Sequence, residues 1–488
     1  MLEVFKNKKL ATLLVLVVLA LLVHNRWTVP RVSYDQMRQL VALKNFVNGD
    51  EITFSFIDPE SEKEVIRNGE FPVGYYFLMA PFTLLSSNIL LLHRMVEILG
   101  ILLLVLQLFQ IGKAIGDKFD INYFEYYLLL FSLIQLNPWR ASGFTDIWSL
   151  YFFISVLRYS IFSELSLKNS AYISFLSFLT VFMRYAYYPL AFVGPLILLF
   201  RYRKVSLKSL LPVGFTAFLL ISMIYFHDDY FKNQTHIESQ FGNERFFWSN
   251  LKQIDPIAFN AFFSDHVIMG ALNMKRWGLN TNWSMKYLIL CIAVLILLIL
   301  GFGMLRLYRQ LQAKRTYNQK NQIDLLSIII FATGLIVSLN WGSITALSVY
   351  YPSKQEDFIY TWSLISRYFA PSYVVLQFLL IYLVLKLSKS KLRTVFAILL
   401  IGSGTFQLAY WVSFVSRFSF RDTWTNYEEF YGRDKMNEVI SNRKNSFSVP
   451  VEHLDYIYIG VYYITDHEMT INGILESDPD YFKNENSE

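Results

Sequence analysis

Apolar residues in this chain come in blocks instead of stripes. A helix on the surface of a soluble protein shows apolar positions three and four apart, whereas these blocks are apolar on every side over bilayer-crossing lengths. A crossing needs about 20 residues at about 1.5 Å each. The blocks lie at 10–23, 91–112, 123–139, 144–162, 170–184, 186–201, 207–226, 286–309, 323–341, 367–388 and 392–412. The stretch 71–87 is also apolar, but Pro72, Gly74 and Pro81 interrupt it. The longer segments outside the blocks are 27–90, 227–285, 342–366 and 413–488.

Charge gives the blocks an orientation. Arg201, Arg203, Lys204 and Lys208 form one basic loop; Arg306, Arg309, Lys314, Arg315 and Lys320 a second; Lys386, Lys389, Lys391 and Arg393 a third. Short basic loops stay in the cytoplasm. Alternation from the first of them puts 164–168 and 113–118 inside as well, so 28–91 begins and ends outside. The stretch 71–87 then does not cross and is expected to be an amphipathic or re-entrant piece of the outer interface. The first block follows Lys6, Lys8 and Lys9, and His24-Asn25-Arg26-Trp27 after it offers no small-residue cleavage site, so it reads as an uncleaved first helix. The expected fold class is an all-α polytopic membrane protein with about eleven transmembrane helices, 1–412 forming the membrane domain and 413–488 a small soluble tail outside.

Composition agrees. Of 488 residues, 54% are hydrophobic and only 17% charged, against about a quarter charged in a soluble domain. The net charge of +6 sits in loops beside apolar blocks, which explains it by membrane orientation and leaves no case for nucleic acid. One cysteine, Cys291, excludes an intrachain disulfide or a cysteine-based zinc site. The lone cysteine and compact loops fit a bacterial inner membrane.

Candidate chemistry gathers on the outer side. Ser33 caps a helical stretch at 37–47, expected to lie amphipathically on the outer face with Tyr34 and Asp35 at its start. Asp35 is either helix-capping or a general base. Asp146 opens a span after a short turn that contains Arg140; it either pairs with Arg140 or serves a site. Arg184 and Arg367 lie at outer span ends, where the positive-inside rule does not account for them. Each either snorkels to the interface or holds an anionic headgroup. His93, Arg94 and Glu97 open the second crossing, with Arg94 and Glu97 three apart and able to pair. His227-Asp228-Asp229 starts a polar loop and is a poor metal cluster. Asn233 and Asn282 match the glycosylation acceptor pattern. Walker, dinucleotide, HExxH and GxSxG motifs are absent. The span interiors look bland, with Gln107 and Gln135 as exceptions.

The order of these features resembles the GT-C superfamily of membrane glycosyltransferases. An outer loop opens with Asp35 before a helix, Phe71-Pro72-Val73-Gly74-Tyr75-Tyr76-Phe77-Leu78 follows, and His93-Arg94 opens the next span. Gly143-Phe144-Thr145-Asp146, Arg184-Tyr185 and Ser366-Arg367-Tyr368-Phe369-Ala370-Pro371 complete the series. The pattern is most similar to the branch of protein O-mannosyltransferases and lipid A aminoarabinose transferases, over residues 1–412. The resemblance implies a polyprenyl-phosphate sugar as donor substrate, transfer on the extracytoplasmic side and no covalently bound cofactor. Asp35 would be the base. Asp146 would organise the donor phosphate or a divalent cation. Arg184 and Arg367 would hold the leaving phosphate, with Tyr34, His93, Arg94 and Arg140 as further candidates. The acceptor (glycan, lipid or protein) stays open, since Gln36 follows Asp35 and Val73-Gly74 stands where relatives carry paired prolines. Two rival classes are a lipid-diphosphate glycan polymerase or ligase, and a transporter of lipid or glycan.

Overall fold

The computed structural model describes residues 7–28, 34–49, 52–57, 64–68, 72–86, 89–136, 144–202, 207–232, 305, 309, 325–349, 369–386 and 391–418. The described chain is dominated by helices: α1 (Lys8–Thr28), α2 (Tyr34–Val47), α3 (Gly74–Thr83), α4 (Ile89–Phe119), α5 (Phe124–Gln135), α6 (Phe144–Phe162) and α7 (Leu167–Met183). A 3₁₀ segment (Tyr185–Phe192) leads into α8 (Val193–Tyr202), followed by α9 (Leu207–Lys232), α10 (Leu325–Val349), α11 (Ala370–Lys386) and α12 (Lys391–Phe418). The expected block 286–309 falls almost wholly outside the described residues.

The described chain is helical as expected, apart from one short hairpin. Strands β1 (Thr53–Ile57) and β2 (Glu64–Asn68) form an antiparallel hairpin, with Thr53 opposite Asn68 and Ile57 opposite Glu64. Thr53-Phe54-Ser55-Phe56 alternates with a period of two, the signature of a half-buried strand. α2 also differs from expectation. Gln39, Leu40, Val41, Ala42, Leu43 and Lys44 are all buried, so no side of its middle faces solvent. It is wedged against β1, α3 and α4 instead of lying amphipathically on a surface. α9 runs to Lys232 and takes in His227, Asp228 and Asp229, which were expected in a loop. α12 runs to Phe418, past the boundary expected at 412.

α3 spans 10 residues, about 15 Å at 1.5 Å per residue and half of what a bilayer requires. The segment 186–201, expected as one span, is two pieces. Pro189 lies inside the 3₁₀ segment and Pro195 in the first turn of α8. The rise of about 2 Å per residue in a 3₁₀ turn gives the pair a combined length of about 30 Å.

Close packing depends on small residues. Gly112 and Gly116 sit one turn apart on α4 facing α5. A Cβ at Gly112 would lie 2.6 Å from the Glu125 Cα, and one at Gly116 would lie 3.0 Å from the Ile121 carbonyl oxygen. The turn between these helices closes with the Ile121 amide donating to the Gly116 carbonyl (2.9 Å) and Asp120 at φ 52°. That is the six-to-one bond of a helix C-terminus, with Asp tolerated in the left-handed region. Polar pairs join other helices: Ser372 on α11 donates to Asn340 on α10 at 2.7 Å, and Gln135 on α5 donates to Ser403 on α12 at 3.4 Å. α11 is enclosed, every residue from Ala370 to Val384 being buried.

The bundle has two distinct ends. Lys8 lies 5.6 Å from the Tyr126 ring, and Phe119 lies 4.7 Å from Tyr382. Arg201 donates to the carbonyls of Ser160 (3.4 Å) and Ser163, and Arg393 to Val384 (2.7 Å). Basic side chains therefore gather where α4, α6, α8 and α11 end. α3 and the starts of α4 and α6 lie at the opposite end.

Two described stretches are long and apolar enough to cross a membrane by length and composition, Leu91–Phe119 and Leu325–Ser343. Bulky apolar side chains point outward on several helices, with Leu13 and Leu16 57% exposed, Phe218 63% and Ile221 64%. Gly112→Ala should lower stability by about 1–3 kcal/mol, the usual range for overpacking. A drop in thermal midpoint of the detergent-solubilised chain checks this; no drop would mean that α4 and α5 need no close approach.

Candidate functional site

Four segments far apart in sequence meet at the end opposite Arg201 and Arg393. The first is the start of α3. Gly74 packs so closely on the end of α7 that a Cβ would lie 2.4 Å from the Phe182 carbonyl oxygen. Only glycine lets α3 seat there. The Val73 amide donates to the Tyr185 hydroxyl at 3.2 Å, so α3 is held on both sides of Arg184.

The seated helix delivers Tyr75 inward. Tyr75 is fully buried and shares a 2.9 Å hydrogen bond with His93 Nδ1. The Phe144 ring, opening α6, lies 5.1 Å from Tyr75 and 5.0 Å from His93. Glu97, one turn further along α4, is 3% exposed. Burial pushes the Tyr75 phenol well above its ordinary value, and neighbouring Tyr76 and Glu97 push the same way.

Asp146 and Arg184 form a buried ion pair through Oδ1 and Nη1, with side chains 1% and 9% exposed. Arg184 Nη1 also donates to Thr145 Oγ1 at 3.4 Å, and its Cζ lies 6.0 Å from the Tyr187 ring. Arg184 holds an extended backbone between α7 and the 3₁₀ segment, its amide bonded to the Thr180 and Val181 carbonyls at 3.2 and 2.9 Å. Asp146, third residue of α6, sits where the helix dipole also favours a negative charge.

These contacts revise the sequence expectations. Arg184 does not snorkel to an interface; it turns inward. The partner of Asp146 is Arg184, and Arg140 lies outside the described residues, as does Arg367. The carboxylate of Asp146 is thus held against a guanidinium through its Oδ1. Among the described residues no three His, Cys, Asp or Glu side chains gather. α2 places Tyr34 and Asp35 in its first turn, and its far end packs on α3, Phe46 lying 5.8 Å from Phe77. The side chains of Tyr34 and Asp35 lie outside the described residues. Arg94 is half-buried on α4 beside His93. Sequence reasoning passed over Tyr75 and Phe144 as site residues; an aromatic pair directly after a helix-opening glycine was the available signal. It also passed over Arg158, a charge in the interior of α6.

No family model matches the chain, and no curated protein or solved structure matches it.

Chemically, the cluster offers a neutral phenol, an imidazole and a carboxylate–guanidinium pair, all nearly dry. Removing one partner of such a pair strands a buried charge at about 3–5 kcal/mol. Arg184→Met should therefore be much more damaging than the double change Asp146→Leu/Arg184→Met. Additive losses in a double-mutant cycle of thermal stability would show the two groups to be uncoupled. Tyr75 yields a pH expectation. The folded state favours the neutral phenol, so stability is full at lower pH and falls as pH rises above about 10. Tyr75→Phe should remove part of that alkaline fall in thermal midpoint; an unchanged alkaline limb would clear Tyr75 of it.

Proposed function

We propose that the chain is a polytopic membrane glycosyltransferase that moves a sugar from a polyprenyl-phosphate donor to an acceptor hydroxyl on the extracytoplasmic side. The observation that carries this reading is the convergence of Val73–Tyr75, His93, Phe144–Asp146 and Arg184–Tyr185 at one end of the bundle, opposite the end that carries Lys8, Arg201 and Arg393. Those are the segments that resemble the GT-C pattern, in four different parts of the chain. The outward apolar side chains and the segregation of basic residues support embedding with the basic end in the cytoplasm. On this reading the chain crosses about eleven times in a bacterial cell membrane, and the converging segments face outward.

The chemistry is an inverting displacement. Asp35 takes the proton from the acceptor hydroxyl as its oxygen bonds the anomeric carbon. The bond from that carbon to the phosphate oxygen breaks, and polyprenyl phosphate leaves with the electron pair. Cations near the leaving phosphate stabilise the charge it gains. Arg367 is the better candidate for this, because Arg184 already balances Asp146. Asp146 and Arg184 then act as positioning residues that set the corner where α3, α6 and α7 meet.

A second reading, transport of a lipid or lipid-linked glycan, draws support from Arg158, since transporters carry charges in span interiors. Purified chain supplied with a panel of radiolabelled polyprenyl-phosphate sugars and crude envelope acceptors separates the two. The wild type should consume one donor, and Asp35→Asn should lose about two orders of magnitude or more in rate. Full activity in Asp35→Asn removes Asp35 from the mechanism, and inertness towards every donor overturns the transferase reading.

A further inference from the structure

Arg158 lies in α6, four residues from its end. α4 and α6 run side by side in the same direction. The register is visible where Trp148 Nε1 donates to the Val96 carbonyl at 3.2 Å, and where Gly100 makes room for the same indole. Seven residues beyond Gly100, Gln107 is level with the middle of α6, and Arg158 Nη1 donates to its Oε1 at 3.1 Å. Helical side chains lean towards the N-terminus, which brings the guanidinium up to this level. It therefore lies about 16 Å from the start of α6, near the centre of a hydrocarbon layer about 30 Å thick.

The surroundings are amphiphilic. The Arg158 Cζ lies 5.2 Å from the Tyr159 ring, which meets Tyr172 of α7 edge to face at 4.8 Å. α4 and α7 flank α6, and both present outward side chains beside the arginine: Leu102 and Leu106 on α4 are 47% and 48% exposed, and Tyr172 on α7 is 41% exposed. Arg158 is itself only part-buried. Among the described residues no carboxylate pairs with it; the ion pair of α6 is the one at Asp146. One neutral amide accepts from a guanidinium that has five N–H donors in a fork. Among the described residues, this deep cation has one amide as its polar acceptor and no counter-charge of the fork's own geometry.

We propose that Arg158 binds the phosphate of a membrane lipid, drawn towards the middle of the bilayer along the strip of α6 that α4 and α7 flank. Phosphate supplies the planar bidentate acceptor that guanidinium prefers. A lipid is the source because the strip opens between apolar helix faces, through which a free ion has no route. Gln107 orients the fork, while Tyr159 and Tyr172 cover its flank. The proposal rests on α4 and α6 being membrane spans. It does not depend on glycosyl transfer, and its test reads lipid retention instead of turnover.

The test uses the full-length chain, delipidated in detergent and incubated with micelles carrying phosphatidic acid or diacylglycerol. Native mass spectrometry counts the lipid retained. The wild type should hold phosphatidic acid about ten-fold better than diacylglycerol. Arg158→Gln should abolish that preference, and Arg158→Lys should keep part of it. Gln107→Glu keeps the arginine but sets a carboxylate against it, so it too should lose the preference, even if Arg158→Gln does not fold. Equal retention of phosphatidic acid by wild type, Arg158→Gln and Gln107→Glu overturns the proposal. Displacement by inorganic phosphate at equal concentration would make it a free-anion site and overturn the lipid assignment.

Discussion

The ion pair between Asp146 and Arg184 is the constraint around which one end of this bundle is built. It joins the first turn of α6 to the end of α7 in a place almost without water. Neither charge is tolerable there alone, so the two helix ends are obliged to meet. Their meeting decides the direction in which the chain leaves Arg184, and Pro189 then keeps the next segment in a 3₁₀ conformation. The same corner offers the Phe182 carbonyl as a seat for Gly74 and the Tyr185 hydroxyl as an acceptor for the Val73 amide. α3 can dock only once that corner exists, and Tyr75 reaches His93 only because α3 has docked.

Elsewhere the helices are joined by close approach and by isolated polar bonds. This suits a bundle whose outer surface is apolar. Where lipid surrounds the helices, burying apolar area gains little, and contact between small residues and interhelical hydrogen bonds must do more. Gly112 and Gly116 let α5 lie directly on α4, while Ser372 with Asn340 and Gln135 with Ser403 fix α11 and α12 against their neighbours. The exposed leucines and phenylalanines of α1, α4 and α9 would be an aggregation hazard in water and are ordinary in a bilayer.

Two arginines show how environment separates identical side chains. Arg184 has a carboxylate and a threonine hydroxyl for partners, and its charge is cancelled where it stands. Arg158 has one amide, and its charge is not cancelled by any described carboxylate. The first therefore organises structure, and the second is the one equipped to attract an anion. An enzyme that handles lipid-linked sugars and a protein that moves lipids both need to manage a phosphate in hydrocarbon. The two functional readings share that physical problem.

Much of the architecture was legible in the chain because long apolar helices declare themselves locally. Unbroken apolar runs and flanking lysines and arginines set α1, α4, α6, α7 and α9 close to where they are found, since each helix satisfies its own backbone without help from distant residues. The interrupted stretch at 71–87 likewise holds only a short helix, α3. What the sequence could not settle was partnership. Nothing local tells Arg184 to turn inward to Asp146, 38 positions earlier, instead of outward to an interface. Nothing local buries both faces of α2 or sets Tyr75 against His93. Those outcomes depend on which helix ends come together, and the cost of a stranded buried charge decides them only after the tertiary structure has formed.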